Sequence, residues 1–381
     1  MKSSSCLISS SVSNAVKLWS LISTVVFSLP LSSLAHASPS VEQRLKNSEL
    51  LVRGAADLAE IRPLLVEFRR RNPDIDLTYI ESSTIDLYHN MLVGEYESTD
   101  VIASSAMDLQ VKLINDGYAQ PYISLETQSL PSRAKWRNEI FAFTYEPAVI
   151  AYNHQLLEQI AQASVPELET RADMLEFIRE YSDQMDGRIG TFDIDSVGVG
   201  YLLWSYDSQQ TASYGRILES FGIHNAKLYS SSNTMLDALN KGEIAFAYNV
   251  LGTYANSATR TNPNVKLLLP KDYTTAIMRT VFIKKDAPNP YAARRYIDFL
   301  LSINGQQILA DTSSLSPIRT NVTTKPNGTN QVKRSELYFQ QERGPIRSIP
   351  LGLRLLVMTD KLKREVLINE WKSALIDPDS N

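Results

Sequence analysis

Strands and helices alternate between residues 50 and 115, and this alternation constrains the fold more than any other feature of the sequence. Short apolar segments typical of strands are separated by longer segments with helical periodicity. Strands separated by helices form βαβ units in a mostly parallel sheet, so we predict an α/β fold. The predicted order is strand Leu50–Arg53, helix Leu58–Arg71, strand Ile75–Ile80, helix Ile85–Gly94, strand Asp100–Ala103 and helix Met107–Asn115.

Three loops follow these strands, and each loop immediately precedes a helix. Ligands bind beyond the carboxyl ends of the strands in such sheets, and a helix N-terminus can hold an anion. The loops are small and carry hydroxyls or glycine, which suits close approach of a ligand. Ordinary capping of the following helix is the alternative for each loop. The candidate binding residues are Gly54, Ala55, Ser82, Ser83, Ser104 and Ser105.

The first 37 residues have the features of a secretion signal. Among these residues, Lys2 and Lys17 are the only lysines, and arginine, aspartate and glutamate do not occur. A mainly apolar run extends from Val16 to Leu34, and Ala35-His36-Ala37 after it is a small-x-small cleavage site. We predict cleavage after Ala37. A retained membrane anchor is the alternative, although Pro30 and several serines interrupt the apolar run.

Cysteine content and charge exclude several classes of function for the mature chain. The only cysteine, Cys6, lies inside the predicted signal, so disulfides, thiolate metal sites and cysteine nucleophiles are excluded after cleavage. The formal net charge of the whole chain is −4, and nucleic-acid binding requires a basic surface. We expect a soluble monomer that binds neither nucleic acid nor a cofactor.

Catalytic signatures are absent from the sequence. The histidines beyond the signal are His89, His154 and His224, and no two of them have metal-ligand spacing. Ser132-Arg133-Ala134-Lys135 matches an S-x-x-K pattern, but its partner motifs are missing. We therefore do not expect an enzyme.

The second half of the chain repeats the strand and helix theme. Phe141–Asn153 is a long extended segment that can cross between two lobes, with Thr144, Tyr145 and Glu146 near the crossing. Near residue 280, a predicted strand is followed by a helix for which Asn289 is the expected N-cap and Pro290 the first residue. The other predicted elements are helices Gln155–Gln162, Arg171–Met185, Tyr206–Phe221 and Leu236–Asn240, a strand and loop at Gly187–Asp193, strands Ile244–Tyr248 and Ala276–Ile283, and C-terminal helices Leu351–Leu362 and Arg364–Leu375.

The order of segments over residues 50–320 resembles that of bacterial extracellular solute-binding proteins of the two-lobed type II class. The resemblance is carried by Ala238–Tyr254, Thr274–Ala310 and Tyr145-Glu146-Pro147, and it is greatest to the iron(III)-type and phosphoglycerate-regulator-type branch. It implies two lobes, each a mixed sheet flanked by helices, joined by two crossover strands. The implied boundaries are lobe 1 at 38–145 plus 275–320, lobe 2 at 146–274, and a polar loop with C-terminal helices at 321–381.

The same resemblance implies a periplasmic protein that binds a small solute between its lobes. The partner of the closed form is then the permease of an ABC-type uptake system or, as an alternative, a membrane sensor kinase. Both roles require the same fold, so the sequence leaves them open.

The resemblance also guides the choice of ligand. Iron-binding members carry two adjacent tyrosines shortly after an asparagine, whereas here Asn249 is followed by Val250, Leu251 and Gly252. Ferric iron prefers anionic oxygen ligands, so a small anionic organic solute fits the sequence better than iron. Arginine suits such anions, and Arg279 in the second crossing strand and Arg319 are the alternatives. For each of them, a surface or inter-lobe salt bridge is the other interpretation. Tyr206 and Tyr254 complete the expected binding set, as does Asn249.

Overall fold

Two mixed β-sheets organise the part of the chain that the structure, a computed structural model, describes: residues 48–210, 213–322 and 346–375. The predicted signal peptide and most of the polar segment after Asn321 lie outside these ranges. The strands are β1 Ser48–Gly54, β2 Ile75–Glu81, β3 Val101–Ser104, β4 Lys135–Trp136, β5 Ile140–Ala142, β6 Glu146–Asn153, β7 Ile189–Phe192, β8 Lys227–Tyr229, β9 Phe246–Leu251, β10 Val265–Leu268, β11 Thr274–Ile277, β12 Thr280–Ile283 and β13 Ile346–Ser348.

Helices flank both sheets, and most of them follow a strand directly. They are α1 Leu58–Arg71, α2 Thr84–Leu92, α3 Met107–Asn115, α4 Leu125–Gln128, α5 His154–Ala161, α6 Arg171–Glu180, α7 Ser182–Met185, α8 Gly198–Asp207, α9 Tyr214–Ile223, α10 Ser232–Asn240, α11 Gly252–Thr261, α12 Pro290–Leu301, α13 Ile303–Thr312 and α14 Lys361–Leu375. Short 3₁₀ segments lie at Ser132–Ala134 and Leu353–Val357.

The first sheet has the strand order β2-β1-β3-β12-β5-β4. Strands β1, β2 and β3 are parallel, while β12, β5 and β4 pair antiparallel. The predicted α/β alternation of residues 50–115 is confirmed, with helices α1 and α3 at their predicted bounds. Because β1, β2 and β3 run in the same direction, the three loops after them lie at one edge of this sheet.

The second sheet has the order β13-β11-β6-β9-β7-β8, and β10 pairs with β6. Strands β7, β8 and β9 are parallel, whereas β6 is antiparallel to its neighbours. We call each sheet with its flanking helices a lobe, and the predicted fold of two lobes with mixed sheets is confirmed.

The chain passes between the lobes at two segments that lie side by side. Phe143–Tyr145 connects β5 to β6, and Met278 with Arg279 connects β11 to β12. The Phe143 amide donates to the Arg279 carbonyl at 3.0 Å, and the Arg279 amide donates to Oγ1 of Thr144 at 2.9 Å. The predicted single strand Ala276–Ile283 is therefore two strands, one in each sheet. The implied boundary at 274/275 falls within β11.

The C-terminal residues 346–375 contact both lobes. Strand β13 adds to the edge of the second sheet, the 3₁₀ segment Leu353–Val357 packs on α3 of the first lobe, and α14 packs on α9 of the second. Trp371 of α14 is fully buried beside Trp204, with ring centroids 6.4 Å apart. The predicted helix Leu351–Leu362 is wrong, because only this short 3₁₀ segment forms there.

Candidate functional site

A cavity of about 460 Å³ lies between the lobes, and both lobes contribute its walls. Its lining includes seven serines, and apolar side chains such as Phe192, Val199 and Leu251 contribute to the walls beside them. The lining residues are Ala55, Asp57, Glu81, Ser82, Ser83, Thr84, Ser105, Phe192, Ser196, Val197, Val199, Ser230, Ser231, Ser232, Asn233, Leu251, Tyr254 and Arg279.

The wall of the first lobe is built by the three loops at the edge of its sheet. Ser83 is the N-cap of α2, and its Oγ accepts from the Asp86 amide at 3.0 Å. Oγ of Ser104 accepts from the Ala106 amide at 3.2 Å, in the turn before α3. These two hydroxyls thus stabilise the helix starts, as the capping alternative proposed, while the loops still face the cavity.

The wall of the second lobe uses the same construction. Ser231 is the N-cap of α10, and its Oγ accepts from the Thr234 amide at 3.1 Å. Ser196 precedes α8, whose first residue is Gly198. Sequence reasoning missed this wall, although Ser230-Ser231-Ser232 before a helix is the pattern that identified the loops of the first lobe.

Arg279 lies at the base of the cavity and is almost completely engaged. Nε donates to Oε1 of Glu146 at 2.7 Å, Nη1 to the Ala55 carbonyl at 3.1 Å, and Nη2 to the Tyr254 hydroxyl at 3.2 Å. The side chain is 3% exposed, and that of Glu146 is fully buried. Burial alone would lower the pKa of the guanidinium, but the Glu146 carboxylate holds that pKa above its ordinary value.

Two carboxylates also line the cavity, and both lie at the start of α1. Oε2 of Glu81 accepts from the Leu58 amide at 2.8 Å, and Asp57 is the residue before Leu58. Oδ2 of Asp57 accepts from the Asn233 amide group at 3.0 Å. Neither carboxylate forms an ion pair with any residue of the described ranges.

The lobes touch each other across the cavity. Besides the Asp57 to Asn233 bond, the Gly198 amide donates to Oγ1 of Thr84 at 3.1 Å, which joins the start of α8 to the start of α2. A Cβ at Gly198 would lie 3.0 Å from Thr84 Oγ1 and 3.1 Å from Cδ1 of Leu109. A side chain at this position therefore fits only if Thr84 and Leu109 shift by a few tenths of an ångström.

The thirteen residues predicted to bind ligand are divided by the structure. Six of them line the cavity, namely Ala55, Ser82, Ser83, Ser105, Tyr254 and Arg279. Five others lie directly behind the lining or at the crossings, namely Gly54, Ser104, Thr144, Tyr145 and Glu146. Glu146 and Thr144 act there as partners of Arg279.

Asn249 and Tyr206 lie away from this cavity. The Asn249 amide group donates to Oδ2 of Asp207 at 2.8 Å inside the second lobe, where Tyr248 and Tyr273 donate to the same carboxylate. Asn249 has a φ of 61°, in the left-handed region that asparagine tolerates. Tyr206 lines a different groove, between α8 and the C-terminal segment. Arg319 binds Glu126 and Ser129 in the first lobe.

Within the described ranges, no group of three or more histidine, cysteine, aspartate or glutamate side chains is arranged to hold a metal ion. No helix in the same residues has both the length and the apolar character needed to cross a membrane.

Comparison with known proteins identifies the family. The family described as "Bacterial extracellular solute-binding protein" matches residues 65–338. The substrate-binding protein of an ABC transporter from Agrobacterium tumefaciens is 31% identical, with a TM-score of 0.76, and the match covers 88% of this chain and 97% of that one. The chain belongs to the bacterial extracellular solute-binding proteins. The family that matches and the Agrobacterium tumefaciens structure are described as binding and transport proteins rather than as enzymes.

More distant structures share the fold of this solute-binding protein. AfuA from Actinobacillus pleuropneumoniae, with fructose-6-phosphate bound, is 16% identical with a TM-score of 0.66, over 86% of this chain and 98% of that one. Iron-bound HitA from Pseudomonas aeruginosa is 15% identical with a TM-score of 0.65, and the match covers 85% of this chain and 99% of that one. A search of curated proteins gave no match. The type II two-lobed fold is therefore shown by several structures.

Proposed function

We propose that this chain is the periplasmic solute-binding component of an ABC-type uptake system and that it binds a small anionic organic solute between its lobes. The observation that carries the proposal is the cavity of about 460 Å³, because each lobe contributes serines at the starts of helices to its walls. A solute there contacts both lobes at once. It therefore stabilises the closed arrangement by its differential affinity for that state.

The anionic character of the solute follows from the helix starts around the cavity. Helices α2 and α10 both begin at its surface, and both are nine residues long. The N–H groups of a first helical turn lack intrahelical partners and carry partial positive charge. Serine hydroxyls at the same positions add donors that rotate to suit a phosphate or a carboxylate.

Arg279 contributes to the same preference, although it is not a free cation. A guanidinium has five N–H groups, and the three hydrogen bonds of Arg279 leave one on each Nη atom. Because Arg279 lines the cavity, we assign these two N–H groups to the solute.

Ferric iron is the weaker candidate. The Tyr248 hydroxyl is buried between Arg171 and Asp207, and the Tyr254 hydroxyl accepts from Arg279, so the two phenols do not converge. Burial raises the pKa of the Tyr254 phenol, which opposes formation of the phenolate that iron requires.

The test is a ligand screen on the purified mature protein. Sugar phosphates, phosphonates, dicarboxylates, polyamines and ferric citrate are compared by thermal shift, and binding is measured for each compound that raises the melting temperature. A true ligand at a hundredfold excess over its dissociation constant stabilises the protein by about 2.7 kcal/mol. We expect an organic anion to do so. Binding of ferric citrate alone, or of polyamines alone, would refute the proposal.

The choice of membrane partner needs a different experiment. Solute uptake by cells lacking the gene distinguishes transport from signalling, because loss of accumulation of the identified solute indicates a permease partner. If such cells still accumulate the solute but no longer change their transcription in response to it, the partner is the membrane sensor kinase of the alternative, signalling role.

A further inference from the structure

The charges that line the cavity do not balance for a purely anionic solute. Among the described residues that line it, Arg279 is the only lysine or arginine, and that cation is already paired with the buried carboxylate of Glu146. Asp57 and Glu81 remain, and neither has a cationic partner within the described ranges. Within the described lining, two carboxylates are therefore left without a compensating side chain.

The two carboxylates share one position in the cavity. Because Glu81 accepts from the Leu58 amide and Asp57 precedes Leu58, both lie at the start of α1. The partial positive charge of this helix end is equivalent to about half an elementary charge, which compensates only part of the two negative charges. A carboxylate has about four acceptor sites. Glu81 forms the hydrogen bond described above, and Asp57 bonds the Tyr254 hydroxyl as well as Asn233, so both carboxylates retain capacity for a donor.

The starts of α2 and α10 provide the opposite polarity. They present serine hydroxyls and helix N–H groups, and their N-caps are Ser83 and Ser231. The first turn of α2 also carries Asp86, but that residue is not part of the cavity lining. The cavity therefore has a negative region at the start of α1 and donor-rich regions at the other two helix starts.

We infer that the solute is a zwitterion, with an ammonium group bound by Asp57 and Glu81 and an anionic phosphate, phosphonate or carboxylate bound at the starts of α2 and α10. This inference rests on the proposed function, since it adds a cationic group to the anionic solute of the same cavity. It assigns Asp57 and Glu81 the role of specificity-determining residues.

The test uses pairs of probes that differ only in the ammonium group. O-phosphoethanolamine is compared with ethyl phosphate, and γ-aminobutyrate with butyrate, by calorimetric titration of the full mature protein. Ammonium binding by carboxylates is a charge-assisted interaction, so the amine of the preferred pair is expected to bind at least about tenfold more tightly. The pair that binds distinguishes a phosphate from a carboxylate headgroup.

Neutral variants of equal shape test the two residues. Asp57→Asn and Glu81→Gln retain an oxygen that accepts from Asn233 and Leu58, respectively, and remove only the charge. Each is expected to reduce the preference for the amine probe while binding of ethyl phosphate is retained or strengthened. The control is Asp76→Asn, which removes the same charge from an exposed site on β2 outside the cavity lining.

The possible results separate this inference from the proposed function. Equal affinities within both probe pairs, or an unchanged amine preference in Asp57→Asn and Glu81→Gln, overturn the inference. Binding of a sugar phosphate without binding of any of the four probes also overturns it and leaves the proposed function intact. Failure of every organic anion overturns both.

Discussion

Arg279 and Glu146 form a buried ion pair that ties the two crossings together, with Nε and Oε1 2.7 Å apart. Glu146 is the first residue of β6, and Arg279 lies between β11 and β12. The carboxylate also accepts from the hydroxyls of Thr144 at 2.8 Å and Thr253 at 2.7 Å. Any movement of the lobes at these crossings must therefore preserve this network or exchange its hydrogen bonds.

Removing one partner of this pair is expected to be costly. Arg279→Ala leaves the Glu146 carboxylate buried without a counter-charge, so we expect the free energy of unfolding to fall by roughly 3–5 kcal/mol. The double variant Arg279→Met with Glu146→Gln leaves no buried charge and should be less destabilised than Arg279→Ala. Urea denaturation of both variants provides the measurement.

The control for this prediction is an exposed pair of the same type. Arg295 bonds Asp74 at 2.9 Å with both side chains at least one-third exposed. Arg295→Ala should change the free energy of unfolding by less than about 1 kcal/mol. Equal destabilisation of the single and double variants of the buried pair would contradict the role assigned to it.

A side chain at Gly198 should prevent the lobes from closing. The Cβ of Gly198→Val would press on Thr84 and Leu109 of the opposite lobe. We expect weaker solute binding with little loss of stability, because the two lobes need only stay further apart. Small-angle scattering with and without the solute should show a smaller decrease in the radius of gyration than in the native protein.

Gly215→Val is the matched control, because nothing lies within 4 Å of a Cβ at that position of α9. It carries the same added side chain at a helical glycine away from the cavity. If Gly198→Val bound the solute and contracted as fully as this control, the close approach of α8 and α2 would not limit closure.

Gly222 tests how firmly the C-terminal helix is attached. A Cβ there would lie 2.1 Å from the carbonyl oxygen of Ala374, a backbone atom that cannot move unless α14 shifts. We therefore expect Gly222→Ala to displace α14 from α9 and to expose Trp371. The measurements are the melting temperature, which should fall, and tryptophan fluorescence, which should move to longer wavelength. Gly215→Ala on the same helix should leave both unchanged.

Local patterns predicted the first lobe well because its elements are specified by nearby residues. Helix α1 begins after Asp57 and ends in three arginines before Asn72, and its predicted bounds match the structure. The buried pair at the crossings was not predictable, because Glu146 and Arg279 are 133 residues apart in sequence. Nor could a pattern show that Arg279 is engaged rather than free.

The predicted helix Tyr206–Phe221 is wrong for a related reason. Helix α8 instead spans Gly198–Asp207, and α9 begins at Tyr214. The Asp207 carboxylate is turned into the second lobe, where it accepts from Tyr248, Asn249 and Tyr273. These partners are distant in sequence, and so is Thr84, which receives the first amide of α8. Tertiary contacts set both ends of this helix.

Asp108 at the lobe interface should make stability depend on pH. Its carboxylate is fully buried in α3, and the ionisable groups that interact with it electrostatically include Arg364, Tyr201 and Tyr88. Burial raises the pKa of Asp108 to about 6. The ordinary aspartate value applies in the unfolded chain, so the folded state binds more protons between about pH 4 and pH 6.

The sign of the effect follows from this difference in proton binding. The contribution of Asp108 to the free energy of unfolding is most favourable below about pH 4, decreases as the pH rises towards 6, and is constant above that. The full change is about 3 kcal/mol, since one pKa unit corresponds to about 1.4 kcal/mol. Asp108→Asn lacks this titration, so its stability relative to the native protein should rise by that amount between pH 4 and pH 7. Urea denaturation at several pH values, with Asp76→Asn as the exposed control, measures the difference. A constant difference across this range would mean that Asp108 stays ionised in the folded protein, held by Arg364 more strongly than burial opposes it.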